Sequence, residues 1–148
     1  MSLRLSTGLK NKLINLFSAN QNAIFGSFYI DIMAGQRPTS ADSAHTETKL
    51  LTLSVNGDGT VLTFEASPTD GVLEKGSGTW KGTGLAVGTA SWFRLYKSGD
   101  TPGSSSTTAE RIDGTVGTSN ADLVLSSTSI TVGAPVTVSA AQFTLPSE

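Results

Sequence analysis

The sequence of 148 residues contains no cysteine, one histidine and only 15% charged residues. Without cysteine, the chain can form neither a disulfide scaffold nor a thiolate metal site. The net charge of −2 gives no electrostatic reason to expect nucleic acid or an anionic membrane as a partner. The sequence also lacks an apolar run of about 20 residues, the length that a membrane-spanning helix requires. We therefore expect no metal, no cofactor, no nucleic acid and no membrane.

Small polar residues dominate the composition. Serine and threonine are the commonest residue types, glycine contributes 16 residues, and hydrophobic residues make up 37%. These residue types disfavour helix interiors but suit exposed strand faces and turns. Apolar segments separated by turn residues recur about every ten residues, which predicts roughly eight to ten short strands. The pattern predicts an all-β fold, a β-sandwich of jelly-roll or immunoglobulin-like topology.

Only the beginning of the chain is predicted to be helical. In "STGLKNKLINLFSAN", Ser6 is placed to cap an amphipathic helix. Its apolar residues recur at spacings of three and four, and they are Leu9, Leu13, Leu16 and Phe17. Such a short helix must dock either on its own domain or on another subunit, so these four residues are interface candidates. The predicted division is an arm at 1–19 and a β-sandwich at 20–148.

The segment "GLAVGTASWFRLYK" is predicted to be one strand with two different faces. Alternation assigns four residues to the core face: Leu85, Val87, Phe93 and Leu95. Gly84, Gly88 and Ala90 leave room for a close approach or a bulge in this segment. The other face carries Trp92, Arg94 and Tyr96. One interpretation is an amphipathic surface for a protein contact. The alternative is that Arg94 pairs across the sheet with a carboxylate, for which Asp113 is the candidate.

Two long polar stretches are predicted to be loops. "GQRPTSADSAHTETK" precedes the strand "LLTLSV", and "SGDTPGSSSTTAE" precedes "RIDGTVG". Loops of this length in a small domain are often functional or interface-forming, which makes Arg37 and His45 further interface candidates. "NGDGT" predicts a hairpin turn with positive φ, followed by a return strand at 61–67.

The residues needed for catalysis are sparse. His45 is the only histidine, and its sequence neighbours Asp42, Ser43 and Glu47 lie too close along the chain to suggest a triad, so a solvated loop histidine is predicted. "NGDGT" lacks the later acidic ligand of a calcium loop, and "GSGTWKGTG" lacks the ending of a P-loop. Paired carboxylates for glycoside hydrolysis remain an alternative, although few aromatics besides Trp80 and Trp92 accompany the acids. The chain is predicted not to be an enzyme.

Several blocks taken together are similar to known proteins. "FYIDIMAGQRPTSADSAHTETKLLTLSVNG", "GTASWFRLYKSGD" and "ERIDGTVGTSNADLVLSSTSITVGAPVTVSAAQFTLP" resemble small virion proteins of tailed bacteriophages. The likeness covers roughly residues 28–146, and Met33 stands where that pattern often has a tyrosine. It is a similarity of pattern, without a motif of known chemistry.

This resemblance implies a structural component of a phage particle. The expected role is a decoration (cement) protein that is made in the host cytoplasm and binds the head exterior. Its partners would be the major capsid protein and copies of itself, in a homo-oligomer. A tail, baseplate or head-fibre component and a carbohydrate-binding module for host attachment are the alternatives.

Overall fold

The protein has an all-β fold, as the composition predicts. The computed structural model describes residues 4–9, 27–64, 72–138 and 140–144. Their strands are β1 (Arg4–Leu5), β2 (Phe28–Met33), β3 (Lys49–Val55), β4 (Val72–Glu74), β5 (Trp80–Thr83), β6 (Gly88–Thr89), β7 (Trp92–Lys97), β8 (Arg111–Gly117), β9 (Leu123–Val124), β10 (Ser129–Ile130), β11 (Pro135–Val138) and β12 (Gln142–Thr144).

One large sheet organises the molecule. Its strand order is β1-β8-β7-β2-β3-β5-β11, and neighbours in this order pair antiparallel. β9 pairs in parallel with β8 beside it. Two small antiparallel sheets, β10-β6 and β12-β4, complete the pairing of the described strands. The centre of the main sheet is therefore formed by β2, β3 and β7.

One face of this sheet carries the apolar core. In the β2 register, Ile30 lies between Leu53 and Leu95, and Ile32 lies next to Phe93, so large apolar residues share this face. The core extends to residues beyond the central strands: Leu62, Phe64, Trp80, Leu125, Ile130 and Val138. Each such side chain contributes about 1.5–3 kcal/mol when it is fully buried, so this face is the main source of stability.

A triangle of aromatic rings closes one end of the core. The rings of Phe28 and Phe64 stack with centroids 4.6 Å apart. The Trp80 ring meets both edge-on, at 5.7 Å from Phe28 and 5.6 Å from Phe64. Offset and edge-to-face pairs add about 0.5–1.5 kcal/mol each beyond the area they bury. The triangle ties β5 and residues 61–64 to the start of β2.

The first described residues belong to the sheet domain. β1 pairs with β8, and Ser6 Oγ donates to Ala109 O (2.6 Å) while it accepts from Arg111 N (3.0 Å). Residues 7–9 are helical, and Leu9 N donates to Ser6 Oγ (3.1 Å), so the predicted cap is confirmed. Leu9 is 1% exposed within the core, which leaves it buried in its own domain. The remaining helix candidates, Leu13, Leu16 and Phe17, lie outside the described residues, as does the predicted boundary at residue 19.

The predicted long strand before Lys97 is wrong. β6 and β7 are separate, because Ala90 N donates to Thr128 O (2.8 Å) and Ser91 N donates to Met33 O (3.0 Å). The alternation does not continue across this break. Leu85 and Val87, predicted to be core, are therefore 60% and 73% exposed. Phe93 and Leu95 follow the break and are buried, as predicted.

The turn after β3 is confirmed, but its return strand is not. Asn56, Gly57 and Gly59 have φ values of 54°, 75° and 89°, and Val55 N donates to Thr60 O (3.0 Å). Residues 61–64 then form only single bridges, from Leu62 to Phe28 and from Phe64 to Lys75. β5 pairs with this end of β3 and takes the place that the return strand was expected to fill. Residues 65–67 lie outside the described residues.

Candidate functional site

A row of alternating charges crosses the second face of the main sheet. In the strand register, Asp31 lies between Thr52 and Arg94, and Asp113 lies between Arg94 and Arg4. The row carries opposite charges on adjacent strands, which is the favourable cross-strand arrangement. We call these residues of β1, β2, β7 and β8 the charged row.

At the centre of this row is a buried ion pair. Arg94 Nε donates to Asp113 Oδ1 and Arg94 Nη2 donates to Asp113 Oδ2, both at 2.7 Å. Both side chains are 0% exposed. The predicted pairing of Arg94 with Asp113 is confirmed. A bidentate pair of this kind fixes both the distance and the plane of the two groups.

The predicted exposed surface of Trp92, Arg94 and Tyr96 is wrong. These residues are 1%, 0% and 8% exposed, because loops cover this face of the sheet. Trp92 Nε1 donates to Ala34 O (3.1 Å), and Arg94 Cζ lies 5.7 Å from the Trp92 ring centroid. The alternation correctly indicated that these three side chains share a face. It did not indicate that the face is covered.

Asp31 collects three partners at the β2–β3 side of the row. Thr52 Oγ1 donates to Asp31 Oδ1 (2.6 Å), and Tyr96 OH donates to the same oxygen (3.3 Å). Lys49 Nζ lies 3.6 Å from Asp31 Oδ2. Burial raises the pKa of the Tyr96 phenol well above its ordinary value, and the negative charge of Asp31 raises it further. Tyr96 is thus held as a neutral donor.

The two predicted loops lie together over the charged row, and we call residues 34–48 and 98–110 the loop layer. Arg94 Nη1 donates to Ser43 O (3.1 Å) in the first loop and to Pro102 O (2.7 Å) in the second. Arg4 Nη1 donates to Pro38 O. A single buried guanidinium therefore holds both loops against the sheet.

A second buried arginine holds the loop 98–110. Arg111 is 1% exposed and forms a bidentate pair with Asp100, at 2.6 Å and 2.8 Å. It also donates to Ser104 O (2.7 Å) and to Thr101 O (2.9 Å). Sequence reasoning missed Arg111 and Asp100. The available signal was the "RID" segment, in which Arg111 and Asp113 stand two residues apart and share a face.

Further hydrogen bonds join the loop layer to itself and to the N-terminal segment. His45 N donates to Gly103 O (3.1 Å), and Ser106 N donates to Asp42 O (2.9 Å). The Asp42 carboxylate accepts from Thr7 N (2.9 Å) and Thr7 Oγ1 (2.5 Å) at the start of the helical residues. An anion at a helix N-terminus is favourable. Loops and N-terminal segment thus form one connected unit.

The ring of His45, in the first loop, packs on Trp92 of β7 instead of standing free in solvent. Its ring meets the Trp92 ring edge-on, with centroids 5.2 Å apart and planes at 87°. Nδ1 and Nε2 are both buried without a hydrogen-bond partner. Burial lowers the pKa of His45, and Arg94 lowers it further, against an opposing effect of Glu47. The predicted solvated histidine is therefore wrong, because the ring packs on Trp92.

The outer surface of the loop layer consists largely of small hydroxyl side chains. The exposed members are Thr39, Thr46, Thr48, Ser98, Thr101, Ser104, Ser105, Thr107 and Thr108. The charged groups of the same loops point to other partners: Asp42 binds Thr7, and Asp100 binds Arg111. Arg37, an interface candidate from the sequence, is half-buried in the first loop. The outer surface of the loop layer is therefore mainly polar and uncharged, and the buried ion pairs lie beneath it.

Within the described ranges, no three His, Asp or Glu side chains are grouped closely enough to hold a metal ion. The same residues include no helix with the length and hydrophobicity that crossing a membrane requires. We compared the chain with protein-family models, with curated proteins and with solved structures, and none of the three comparisons found a match.

Proposed function

We propose that this chain is a structural protein of a tailed-bacteriophage particle. Its role would be that of a decoration protein, which binds the outside of the major capsid shell in many copies and stabilises it. For the fold we propose a β-sandwich of the jelly-roll or immunoglobulin type, with the main sheet as one layer. The sequence resemblance suggested this role, and the loop layer is the structural observation that carries it.

The loop layer supports an interaction role because its shape is fixed before any partner binds. Arg94 and Arg111 are fully buried beneath it and bind four of its backbone carbonyls between them. A preorganised surface loses little conformational entropy on binding, so even a modest interface retains useful affinity. Repeated over many copies on a lattice, modest interfaces add up through multivalency.

The use of the charged groups supports a non-enzymatic role. Asp113 and Asp100 are each engaged by both nitrogens of an arginine fork, and Asp31 accepts from Thr52 and Tyr96. A carboxylate bound in this way is a structural anion. It is poorly placed to act as a general base or a nucleophile, which needs access to a substrate. We infer that these groups serve to hold the loops.

The carbohydrate-binding alternative depended on two tryptophans, and the structure argues against that use. Trp80 is 0% exposed in the aromatic triangle, and Trp92 is 1% exposed beneath the loop layer. Neither offers a ring face on which a sugar could stack. A tail, baseplate or head-fibre position remains the second proposal, since a fixed loop surface would serve there equally well.

Copy number separates these positions. Quantitative mass spectrometry of purified particles should find this chain in hundreds of copies if it decorates the shell. Three, six or twelve copies would instead assign it to the tail, and absence from the particle would refute the virion proposal altogether.

Single substitutions on the surface test the role of the loop layer. Thr46→Arg and Ser105→Arg place a long cation on exposed positions of the two loops, and each should weaken binding to assembled shells while leaving the melting temperature unchanged. Thr137→Arg is the matched control, because Thr137 is also exposed but lies on β11 at the far edge of the main sheet. Loss of binding in the control alone would show that the contact surface lies away from the loops.

A further inference from the structure

His45 occupies a position that suits a neutral ring and not a charged one. Both of its ring nitrogens are buried without a partner, so neutral imidazole leaves one N–H donor and one acceptor unpaired. Imidazolium would leave two donors unpaired and would also bury a charge, which is the more costly state. The ring also meets the Trp92 ring edge-on, with centroids 5.2 Å apart, and a hydrated ring would lose this contact.

The backbone of the same residue joins the two loops. His45 N donates to Gly103 O (3.1 Å), and a second hydrogen bond between the two loops runs from Ser106 N to Asp42 O (2.9 Å). A movement of the loop that carries the His45 ring into water would therefore disturb the first of these bonds directly. The titrating ring and the hydrogen bond between the loops are thus mechanically linked.

We propose that His45 is a pH-sensitive latch of the loop layer: protonation of its ring releases residues 34–48 from residues 98–110 while the main sheet stays folded. The inference concerns the loop layer itself and holds whatever that layer binds. Acidification would convert a fixed contact surface into a loosened one, and neutral pH would restore it.

Burial and one neighbouring charge favour the neutral form of the His45 ring, and three carboxylates oppose them. Arg94 on β7 opposes a second positive charge, while Glu47 in the same loop, Asp113 on β8 and Asp31 on β2 favour one. Asp113 and Asp31 already have donors of their own, which reduces the attraction they offer to the ring. Burial and Arg94 prevail, so the pKa of His45 lies below its ordinary value of 6.5 in the closed state.

The sign of the effect follows from linkage. The open state, in which the ring is hydrated, binds a proton more readily than the closed state. As the pH falls from 6.5 toward the depressed pKa of the closed state, the opening equilibrium should increase by up to about tenfold per pH unit. Above pH 6.5 the opening equilibrium should not depend on the protonation of His45.

Amide hydrogen exchange measured by NMR on the full chain tests the proposal. The amides of His45 and Ser106 report the loop connection, and those of Ile30 and Leu95 report the central strands. After correction for intrinsic exchange, protection at His45 and Ser106 should fall with decreasing pH, while protection at Ile30 and Leu95 stays constant. An equal loss at all four amides would assign the titration to unfolding of the whole chain and overturn the proposal.

Two variants and one direct titration complete the test. His45→Phe keeps a ring against Trp92 but cannot titrate, so its loop protection should be independent of pH; His45→Gln serves the same purpose if the larger ring disturbs folding. Asp42→Asn removes the carboxylate that binds Thr7 and should retain the wild-type pH dependence between about pH 5 and pH 7. The NMR titration of the single histidine ring should give a pKa below 6.5. A pKa at or above that value, or a pH-dependent His45→Phe variant, would refute the latch.

Discussion

Replacement of Arg94 by methionine should be among the most damaging single changes in this protein. The substitution keeps an unbranched side chain in the space but removes two hydrogen bonds to Asp113, one to Ser43 O and one to Pro102 O. It leaves Asp113, which is 0% exposed, as a buried anion without its cation. Breaking a buried pair in this way costs about 3–5 kcal/mol. This is a large part of the roughly 5–15 kcal/mol that stabilises a typical domain.

The double variant Arg94→Met, Asp113→Asn separates the charge from the loop contacts. Because it removes the uncompensated anion, it should be more stable than Arg94→Met alone by about 1 kcal/mol or more. It should not recover the wild-type stability, since Ser43 O and Pro102 O still lack their donor at about 1–3 kcal/mol each when buried. Urea unfolding followed by tryptophan fluorescence gives each free energy of unfolding.

The matched control is the more exposed pair of Lys97 and Glu110. Lys97 Nζ lies 3.4 Å from Glu110 Oε1, and the two side chains are 37% and 10% exposed. Lys97→Met should therefore cost less than Arg94→Met, because the Lys97 ammonium is partly solvated and its attraction to Glu110 is screened. If Arg94→Met costs no more than Lys97→Met, the buried pair does not hold the loop layer.

Three further predictions concern packing and pH. Gly8→Ala should lower the free energy of unfolding by about 1–3 kcal/mol, because a Cβ there would lie 2.4 Å from the Thr108 backbone oxygen in the loop layer. Gly103→Ala is the control: its Cβ would meet open space, so the melting temperature should not change. Stability should fall as the pH rises above 10, since the pKa of Tyr96 is raised on folding, and Tyr96→Phe should flatten this dependence in urea titrations between about pH 8 and pH 11. Leu95→Ala should cost about 2–5 kcal/mol and Leu85→Ala less than about 0.5 kcal/mol in the same assay, because the two residues are 3% and 60% exposed; similar costs would contradict the assigned faces.

Local patterns determined much of the fold. The composition and the spacing of turn residues predicted an all-β chain, and "NGDGT" predicted a turn that requires positive φ, as Asn56 and Gly57 show. Ser6 was identified as a cap because an N-cap acts within three residues of itself, on Leu9 N. These features depend on neighbours in the sequence, so the sequence can indicate them directly.

The pairing of Arg94 with Asp113 could be predicted from the sequence for a related reason. Both residues lie on strands, and the alternation of each strand places its charged residues on one face. Gly88 and Ala90 indicated room for a bulge in this segment. The break of the strand at Ala90 and Ser91 could not be predicted, because it is made by hydrogen bonds to Thr128 O and Met33 O, which lie far along the chain. Alternation counted through this break assigned Leu85 to the wrong environment.

The sequence by itself determined that the two faces of the main sheet differ in polarity: one apolar, the other carrying Trp92, Arg94 and Tyr96. Only the tertiary structure decided that the polar face is covered. Arg94 reaches Ser43 O across 51 positions of the sequence and Pro102 O across 8, and each loop contributes backbone carbonyls that any residue type could supply. Every residue has a backbone oxygen, so the pattern of side chains cannot indicate which oxygen an arginine will bind. The loop layer can therefore be recognised only in the folded chain.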